Sequence, residues 1–181
     1  VAQALEDPLP VPVVWNSGGY DRVETLAALE GNIQIYLPDY KYTDPDTARR
    51  YAGAADYPET ARAAIREMVR QTGPYQLDEN GILTRGVILR HLLLPGGLNQ
   101  AKEVMDWVAE TFPPHTILFS LMSQYTPWGK ATDYPPLDRR LRKSEIRAAE
   151  AYFTNLDLDG FTQGVEAAQA DYIPSFDLTG V

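Results

Sequence analysis

Four short polar segments follow apolar runs in this chain, and they hold the side chains best suited to binding a ligand. The first is WNSGGY, in which the Asn16 amide can both donate and accept hydrogen bonds. Gly18 and Gly19 would let a ligand approach the backbone closely. On pattern alone, the segment fits equally well a simple turn between a strand and a helix.

The second segment is YLPDYKY, which places Asp39 and Lys41 two residues apart after an apolar run. If the backbone stays extended, the two side chains point to the same side. An anion beside a cation can hold a zwitterionic ligand. The alternative is a surface ion pair, which contributes only ~0–1 kcal/mol.

The third segment, RHLLLPGG, places Arg90 on a strand face between the apolar Ile88 and Leu92. A charge in such a position is costly unless it is paired. The planar guanidinium would therefore bind either a carboxylate ligand or a structural acid. His91 alternates to the opposite face and is predicted to be a hydrogen-bonded core histidine, whereas His115 follows two prolines and is predicted to be solvated.

The fourth segment, SLMSQYTPWGK, contains Gln124 and Tyr125. These side chains could form hydrogen bonds with a base edge or a ribose, and Trp128 could stack on a ring. Packing within a loop would explain the same residues.

Strand-like and helix-like runs alternate along the chain, which is typical of an α/β protein with a mainly parallel sheet. The predicted strands cover residues 12–15, 33–37, 86–94, 116–122 and 160–163. The predicted helices cover residues 23–29, 58–71, 99–111 and 144–156, and the stretch between residues 42 and 58 is predicted to be irregular. The apolar strand over 86–94 is predicted to be buried on both faces, as parallel strands usually are.

Four or five strand–helix units are too few for a complete eight-unit barrel, which takes ~250 residues. The pattern therefore predicts part of a (β/α) barrel or an open parallel sheet. Both place chemistry at the carboxyl ends of the strands, so the four polar segments should meet at one edge.

Length and composition exclude several classes of protein. The 181 residues, 44% hydrophobic, are enough for one domain with a real core. Sixteen Lys and Arg against 25 Asp and Glu give a net charge of −9, which argues against nucleic acid as a partner. No apolar run approaches the ~20 residues of a membrane span, and no signal peptide is recognisable. We expect no membrane partner and a cytoplasmic location.

Cysteine is absent, which excludes disulfides, thiol catalysis and any iron–sulfur cluster held by thiolates of this chain. With two histidines and no acidic metal-loop spacing, the chain has no predicted metal ligands. The phosphate-binding loop, the Gly-x-Ser-x-Gly elbow and the His-Glu-x-x-His helix are also absent. Because the chain begins at Val1, we expect it to be a piece of a longer protein.

Five segments, taken in order, resemble those of a known family: PVVWNSGGY, IYLPDYKY, RHLLLPGG, SLMSQYTPWGKA and IPSFDLTGV. They are similar to the C-terminal part of the radical S-adenosylmethionine (radical SAM) proteins related to pyruvate formate-lyase activating enzyme, in the branch of activase-like iron–sulfur proteins. The likeness covers essentially all of residues 1–181. It implies a single, incomplete domain, the C-terminal portion of a partial TIM-like (β/α) barrel with parallel strands.

In that family, a 4Fe-4S cluster on a Cys-x3-Cys-x2-Cys loop binds and reduces S-adenosylmethionine. The resulting 5′-deoxyadenosyl radical abstracts hydrogen from the substrate, which in activases is a glycine of a partner enzyme. The resemblance implies that Asp39 and Lys41 match an Asp-x-Lys step and that Gln124 replaces a histidine beside the adenine. The implied cofactor-binding residues are Asn16, Gly18, Gly19, Asp39, Lys41, Arg90 and Gln124.

The family's cysteine loop and a following Gly-Gly-Glu segment have no counterpart in this chain and would precede Val1. We therefore expect part of an oxidoreductase that is inactive alone and needs a cysteine-bearing N-terminal half or a second chain. A protein substrate is a further candidate partner. One alternative is a non-catalytic module that binds an adenosyl ligand or a partner protein. Another is a non-redox α/β enzyme that uses Asp39 and Lys41 as acid and base.

Overall fold

A mainly parallel sheet forms the frame of residues 11–163, the part of the chain that the computed structural model describes. Its strands are β1 Val14–Ser17, β2 Ile35–Pro38, β3 Gln76–Leu77, β4 Leu83–Leu92, β5 Ile117–Met122 and β6 Gly160–Gln163. The order is β1-β2-β4-β5-β6 with all neighbours parallel, and β3 pairs antiparallel with the amino end of β4. The predicted α/β class with a parallel sheet is confirmed.

Helices connect the parallel strands: α1 Val23–Ala27, α2 Pro45–Ala52, α3 Tyr57–Thr72, α4 Leu98–Thr111 and α5 Lys143–Asn155, with a 3-10 turn at Gly129–Asp133. In α3, apolar side chains recur at helical spacing, and Ala61, Ala64, Ile65 and Met68 are fully buried. This helix covers the sheet, as its pattern predicts.

Two elements differ from the prediction. The stretch expected to be irregular contains α2, which begins where the Asp44 carboxylate accepts a 2.7 Å hydrogen bond from the Thr47 backbone N–H. Pro45 occupies the first turn, where its missing N–H costs nothing. The short strand β3 was also not predicted, because two exposed residues carry no periodic signal.

All five helices pack on the same face of the sheet. Along β4, Val87 and Leu89 are fully buried on this face, and His91 is 2% exposed. The strand residues of this face form one core with side chains from every helix, including Leu26, Ala48, Met68, Met105 and Phe153. The prediction that β4 is buried on both faces was wrong, because Ile88, Arg90 and Leu92 on the opposite face are only partly buried.

We term the opposite side of the sheet the open face. It carries a row of register neighbours, Asn16, Leu37, Ile88 and Leu118, and then a second row, Asp39, Arg90 and Ser120. Consecutive strand order with helices on one face is the winding of a (β/α) barrel, whereas a doubly wound sheet has helices on both faces. Because the strands are parallel, the carboxyl ends of β1, β2, β4 and β5 meet at one edge, the carboxyl edge.

Candidate functional site

A cluster of polar and charged side chains lies at the carboxyl edge, and Arg90 is its centre. The Arg90 Nη2 donates to Asn16 Oδ1 at 2.8 Å and lies 2.7 Å from Asp39 Oδ1. The other Asp39 oxygen is 3.4 Å from the Lys41 Nζ. We term Asn16, Asp39, Lys41 and Arg90 the rim cluster. Asp39 and Lys41 lie side by side as their spacing predicts.

The rim cluster is partly shielded from water. The exposed fraction of the side chain is 18% for Asp39, 25% for Arg90 and 47% for Lys41, so their attractions are stronger than those of a fully exposed pair. Two cations on one carboxylate leave a net positive charge. The Arg90 Nε is buried without a partner among the described residues, so the contacts described here do not use all the donors of the guanidinium.

Gly19 holds the loop after β1 against the loop after β2. Its φ is +76°, and a Cβ at this position would lie 2.1 Å from the Asp39 carbonyl oxygen. The close approach that this glycine permits is therefore to the protein's own backbone. Gly18 lies beside the rim cluster, since a Cβ there would be 3.8 Å from the Lys41 Nζ. That either glycine contacts a cofactor stays a prediction.

Tyr57, at the start of α3, joins the same loops, and sequence reasoning missed it. Its hydroxyl accepts a 2.9 Å hydrogen bond from the Lys41 backbone N–H. It lies 2.9 Å from the Gly18 carbonyl oxygen and 3.0 Å from that of Asp39, and its one proton can be donated to one of them at a time. Burial raises the pKa of Tyr57, which keeps that proton in place. No local pattern indicates a contact between a helix start and two distant loops.

Gln124 lies at the same edge but in a separate contact. Its Nε2 donates to the Gln163 Oε1 at 3.1 Å, which joins the ends of β5 and β6. Its own Oε1 is buried without a partner among residues 11–163. The structure thus joins six of the seven predicted residues through direct or near contacts and places Gln124 in the loop just after β5.

The two histidines lie where the sequence predicts them. His91 is buried on the helix-covered face, and its Nδ1 lies 2.7 Å from the Tyr40 carbonyl oxygen, to which it must donate. Burial lowers the pKa of His91, so the ring is held neutral. His115 has a side chain that is 79% exposed and a Nδ1 that lies 2.8 Å from Asp159 Oδ2.

A cavity of about 440 Å³ opens beside the rim cluster. Asp39 and Lys41 form part of its wall, and Leu92, Leu94 and Met122 supply apolar surface. This volume is within the range of sites for small organic molecules.

Residues 11–163 contain neither a group of metal ligands nor a membrane-spanning helix. These residues contain no group of three or more His, Asp or Glu side chains placed to hold a metal ion. None of their helices combines the length and the apolar character that crossing a bilayer requires.

Comparison with known proteins gives a relative by sequence and a likeness in fold. No family model matches the chain. It is 31% identical over 153 residues to the uncharacterized protein MJ0674 of Methanocaldococcus jannaschii, an alignment that covers 82% of this chain and 40% of that protein. The chain thus spans about two fifths of the length of that relative.

Among solved structures, the fold is similar to a domain of pyruvate-formate lyase-activating enzyme from Bacteroides vulgatus, with a TM-score of 0.58. The match covers 82% of this chain and 79% of that domain, with 15% sequence identity. At this identity the likeness defines the fold: an α/β domain of the kind present in that activating enzyme.

Proposed function

We propose that this chain is the C-terminal part of a radical SAM iron–sulfur enzyme related to pyruvate formate-lyase activating enzyme, and that the rim cluster binds S-adenosylmethionine. The consecutive strand order and the one-sided helices support a partial (β/α) barrel. The fold likeness to an activating-enzyme domain supports the class. The single observation that carries the proposal is the contact of Asn16, Asp39 and Lys41 around Arg90.

The rim cluster fits the amino-acid end of S-adenosylmethionine, which carries a carboxylate and an ammonium group. Arg90, with its unpartnered Nε, and Lys41 supply the cations that a carboxylate needs. Asp39 supplies the anion that an ammonium needs once Lys41, which lies 3.4 Å away, turns to the carboxylate of the ligand. Asn16 fixes the guanidinium by accepting its hydrogen bond. In this role the chain binds and orients the cofactor, while the apolar side chains of the cavity limit the access of water.

The residues of this chain do not fit a 4Fe-4S cluster, because its ligands are thiolates and the 181 residues contain no cysteine. In the proposed enzyme the cluster supplies the electron that cleaves the sulfonium bond. Its ligands must come from a cysteine-bearing N-terminal half or from a second chain. We therefore derive no chemical step for this chain alone and expect it to be inactive by itself.

The geometry gives less support to acid–base chemistry by Asp39 and Lys41. Arg90 and Lys41 approach different oxygens of the Asp39 carboxylate, so no oxygen is left without a cation beside it. A general base needs an oxygen within reach of the proton it removes. A non-catalytic adenosyl-binding module, the alternative, would use the same rim cluster. It would differ only in having no partner that carries an iron–sulfur cluster.

Calorimetry on the purified chain tests the binding step with two related ligands. S-adenosylhomocysteine contains the amino-acid end, and 5′-methylthioadenosine lacks it. We expect at least tenfold tighter binding of S-adenosylhomocysteine, because charge-assisted contacts at Arg90, Lys41 and Asp39 contribute only to that ligand. Asp39→Asn should weaken the binding of S-adenosylhomocysteine about tenfold. Asp46→Asn, which changes an exposed acid on α2, is the matched control and should leave it unchanged. Equal affinity for both ligands would refute the assignment of the rim cluster.

A mixing experiment tests the enzyme class. Under anaerobic reducing conditions, the chain together with a cysteine-bearing N-terminal half should convert S-adenosylmethionine to 5′-deoxyadenosine, and neither part should do so alone. If S-adenosylhomocysteine binds normally but the mixture forms no 5′-deoxyadenosine, the enzyme proposal is wrong and the binding-module alternative is favoured.

A further inference from the structure

The cavity beside the rim cluster is positively charged although the whole chain carries a net charge of −9. Among residues 11–163, its charged lining consists of the cations Lys41, Arg50 and Lys130 and the acid Asp39. Asp39 is already paired with Arg90, so the excess of positive charge faces the cavity. Such a local reversal of sign concentrates anions at the site.

The two cations farther from the rim cluster have no acidic partner among the described residues. Neither Arg50 on α2 nor Lys130 in the 3-10 turn forms an ion pair with any residue between 11 and 163. The Arg50 guanidinium lies 5.4 Å from the centre of the Tyr51 ring, which also lines the cavity. Its neighbour Arg49 is different: it pairs with Asp46 at 2.5 Å and does not line the cavity.

The remaining lining is aromatic and aliphatic. Four tyrosines contribute to it, Tyr42, Tyr51, Tyr125 and Tyr134. Tyr51 contacts two of them, with ring centres 6.2 Å from Tyr42 and 6.3 Å from Tyr134. Burial raises the pKa of Tyr42, which keeps that hydroxyl uncharged. Together these side chains offer an apolar surface to the body of a ligand.

We propose that this cavity binds a small organic anion with an apolar body, a carboxylate or a phosphate ester. Arg50 and Lys130 bind its charged group, and the tyrosines contact its body. The sulfonium of S-adenosylmethionine is positively charged, so the excess of cations disfavours that group here and favours a second compound. That this compound is the substrate rests on the proposed function, whereas its binding does not.

Matched small ligands test the charge preference directly. Calorimetry compares 4-phenylbutyrate and phenyl phosphate with 4-phenylbutylamine, which has a similar body and the opposite charge. At least one of the two anions should bind at least about tenfold more tightly than the amine. Its affinity should fall as the ionic strength rises. The tighter of the two anions identifies the carboxylate or the phosphate class. Equal binding of the amine would overturn the proposal.

Variants locate the binding. Arg50→Gln and Lys130→Gln should each lower the affinity for the preferred anion about fivefold or more. Arg49→Gln, on the same helix as Arg50, should leave that affinity unchanged. Thermal unfolding midpoints verify that each variant is folded. An equal loss of affinity in Arg49→Gln and Arg50→Gln would overturn the assignment.

Binding of S-adenosylhomocysteine distinguishes this inference from the proposed function. Because neither Arg50 nor Lys130 belongs to the rim cluster, S-adenosylhomocysteine should bind the Arg50→Gln and Lys130→Gln variants normally. Anion binding without S-adenosylhomocysteine binding would refute the proposed function alone, and the reverse would refute this inference alone.

Discussion

The two ends of β4 carry one arginine each, in very different surroundings. At the amino end, the Arg85 Nε donates to the Thr72 carbonyl at 2.9 Å and its Nη2 donates to the Gln71 carbonyl at 2.8 Å. These are the last carbonyls of α3, which have no partner within the helix. At the carboxyl end, Arg90 bridges Asn16 and Asp39 and leaves its Nε without a partner among the described residues. Arg85 thus completes the fold, whereas Arg90 is the residue that we propose binds a ligand.

The two edges of the sheet around these arginines also differ in how completely their polar groups are paired. At the amino edge, the turn before β4 is closed by Asp78, which accepts hydrogen bonds from the Asn80 and Ile82 backbone N–H groups. At or near the carboxyl ends of β4 and β5, buried side-chain atoms of Arg90, Ser120 and Gln124 lack partners among residues 11–163. Buried polar atoms are rarely left unpaired in a finished structure. This contrast supports the proposal that a ligand binds at the carboxyl edge, although parts of that edge also serve stability.

The largest expected effect on the free energy of unfolding comes from shortening a side chain on the helix-covered face. Leu89→Ala should lower the free energy of unfolding by about 2–5 kcal/mol, because Leu89 is fully buried and the space it leaves cannot be refilled. Leu92→Ala removes the same atoms from the open face, where Leu92 is partly buried and lines the cavity. Chemical denaturation should give less than half the loss for Leu92→Ala. Equal losses would show that the open face near the carboxyl edge is also part of a closed core.

Glu145 marks a part of the carboxyl edge that serves stability. It accepts hydrogen bonds from Arg139 at 2.8 and 2.9 Å and from the backbone N–H groups of Arg142 and Gly96 at 2.8 Å. Arg139 holds the pKa of the Glu145 carboxyl at about 2, below its ordinary 4.5. The lowered pKa means that the stabilisation is complete above pH 4.5 and is lost as the pH falls toward 2.

We therefore expect Glu145→Gln to lower the free energy of unfolding by about 1–2 kcal/mol at pH 7. The difference from the parent chain should shrink between pH 5 and pH 3 in denaturation series. A difference that stays constant over this range would contradict the role of the charge. Binding of S-adenosylhomocysteine at pH 7 should not change.

Tyr57→Phe tests whether the rim cluster depends on a positioning residue beneath it. Loss of the hydroxyl leaves the Lys41 N–H without its acceptor, which should cost about 1 kcal/mol of stability. The affinity for S-adenosylhomocysteine should fall about threefold to tenfold, because the loops carrying Gly18 and Asp39 are no longer tied together. A stability loss with unchanged affinity would limit Tyr57 to a structural role.

The smallest expected effect is the contribution of His91 to the pH dependence of the free energy of unfolding. Because burial lowers its pKa, the unfolded chain takes up a proton below about pH 6.5 that the folded chain resists. The free energy of unfolding should therefore fall as the pH is lowered below about 6.5. His91→Asn should reduce this slope, and His115→Asn, which changes the exposed histidine, should retain it. An unchanged slope in His91→Asn would assign the pH dependence to other groups.

The sequence predicts those parts of the site that depend on local geometry. Alternation along a strand is sufficient to send Arg90 and His91 to opposite faces, and both lie as expected. The same rule places Lys41 beside Asp39. The strand–helix alternation along the chain is sufficient to bring the polar segments to one edge.

Contacts between distant segments could not be predicted. Nothing near Tyr57 indicates that its hydroxyl meets Gly18 and Lys41, which belong to other loops. The role of Gly19 depends on the Asp39 carbonyl, twenty residues away. The helix α2, which carries Arg50, was missed although Asp44 and Pro45 are a recognisable start signal, because the Asp, Pro and Tyr residues around it are typical of a loop.

Comparing Arg90→Gln with Arg85→Gln tests the central claim most directly, with both the affinity for S-adenosylhomocysteine and the free energy of unfolding measured for each variant. We predict that Arg90→Gln weakens binding about tenfold or more, and that it also lowers stability because the partly buried Asp39 carboxylate loses its partner. Arg85→Gln should lower stability and leave the affinity within about twofold. An Arg90→Gln variant that binds S-adenosylhomocysteine as tightly as the parent chain would contradict the account.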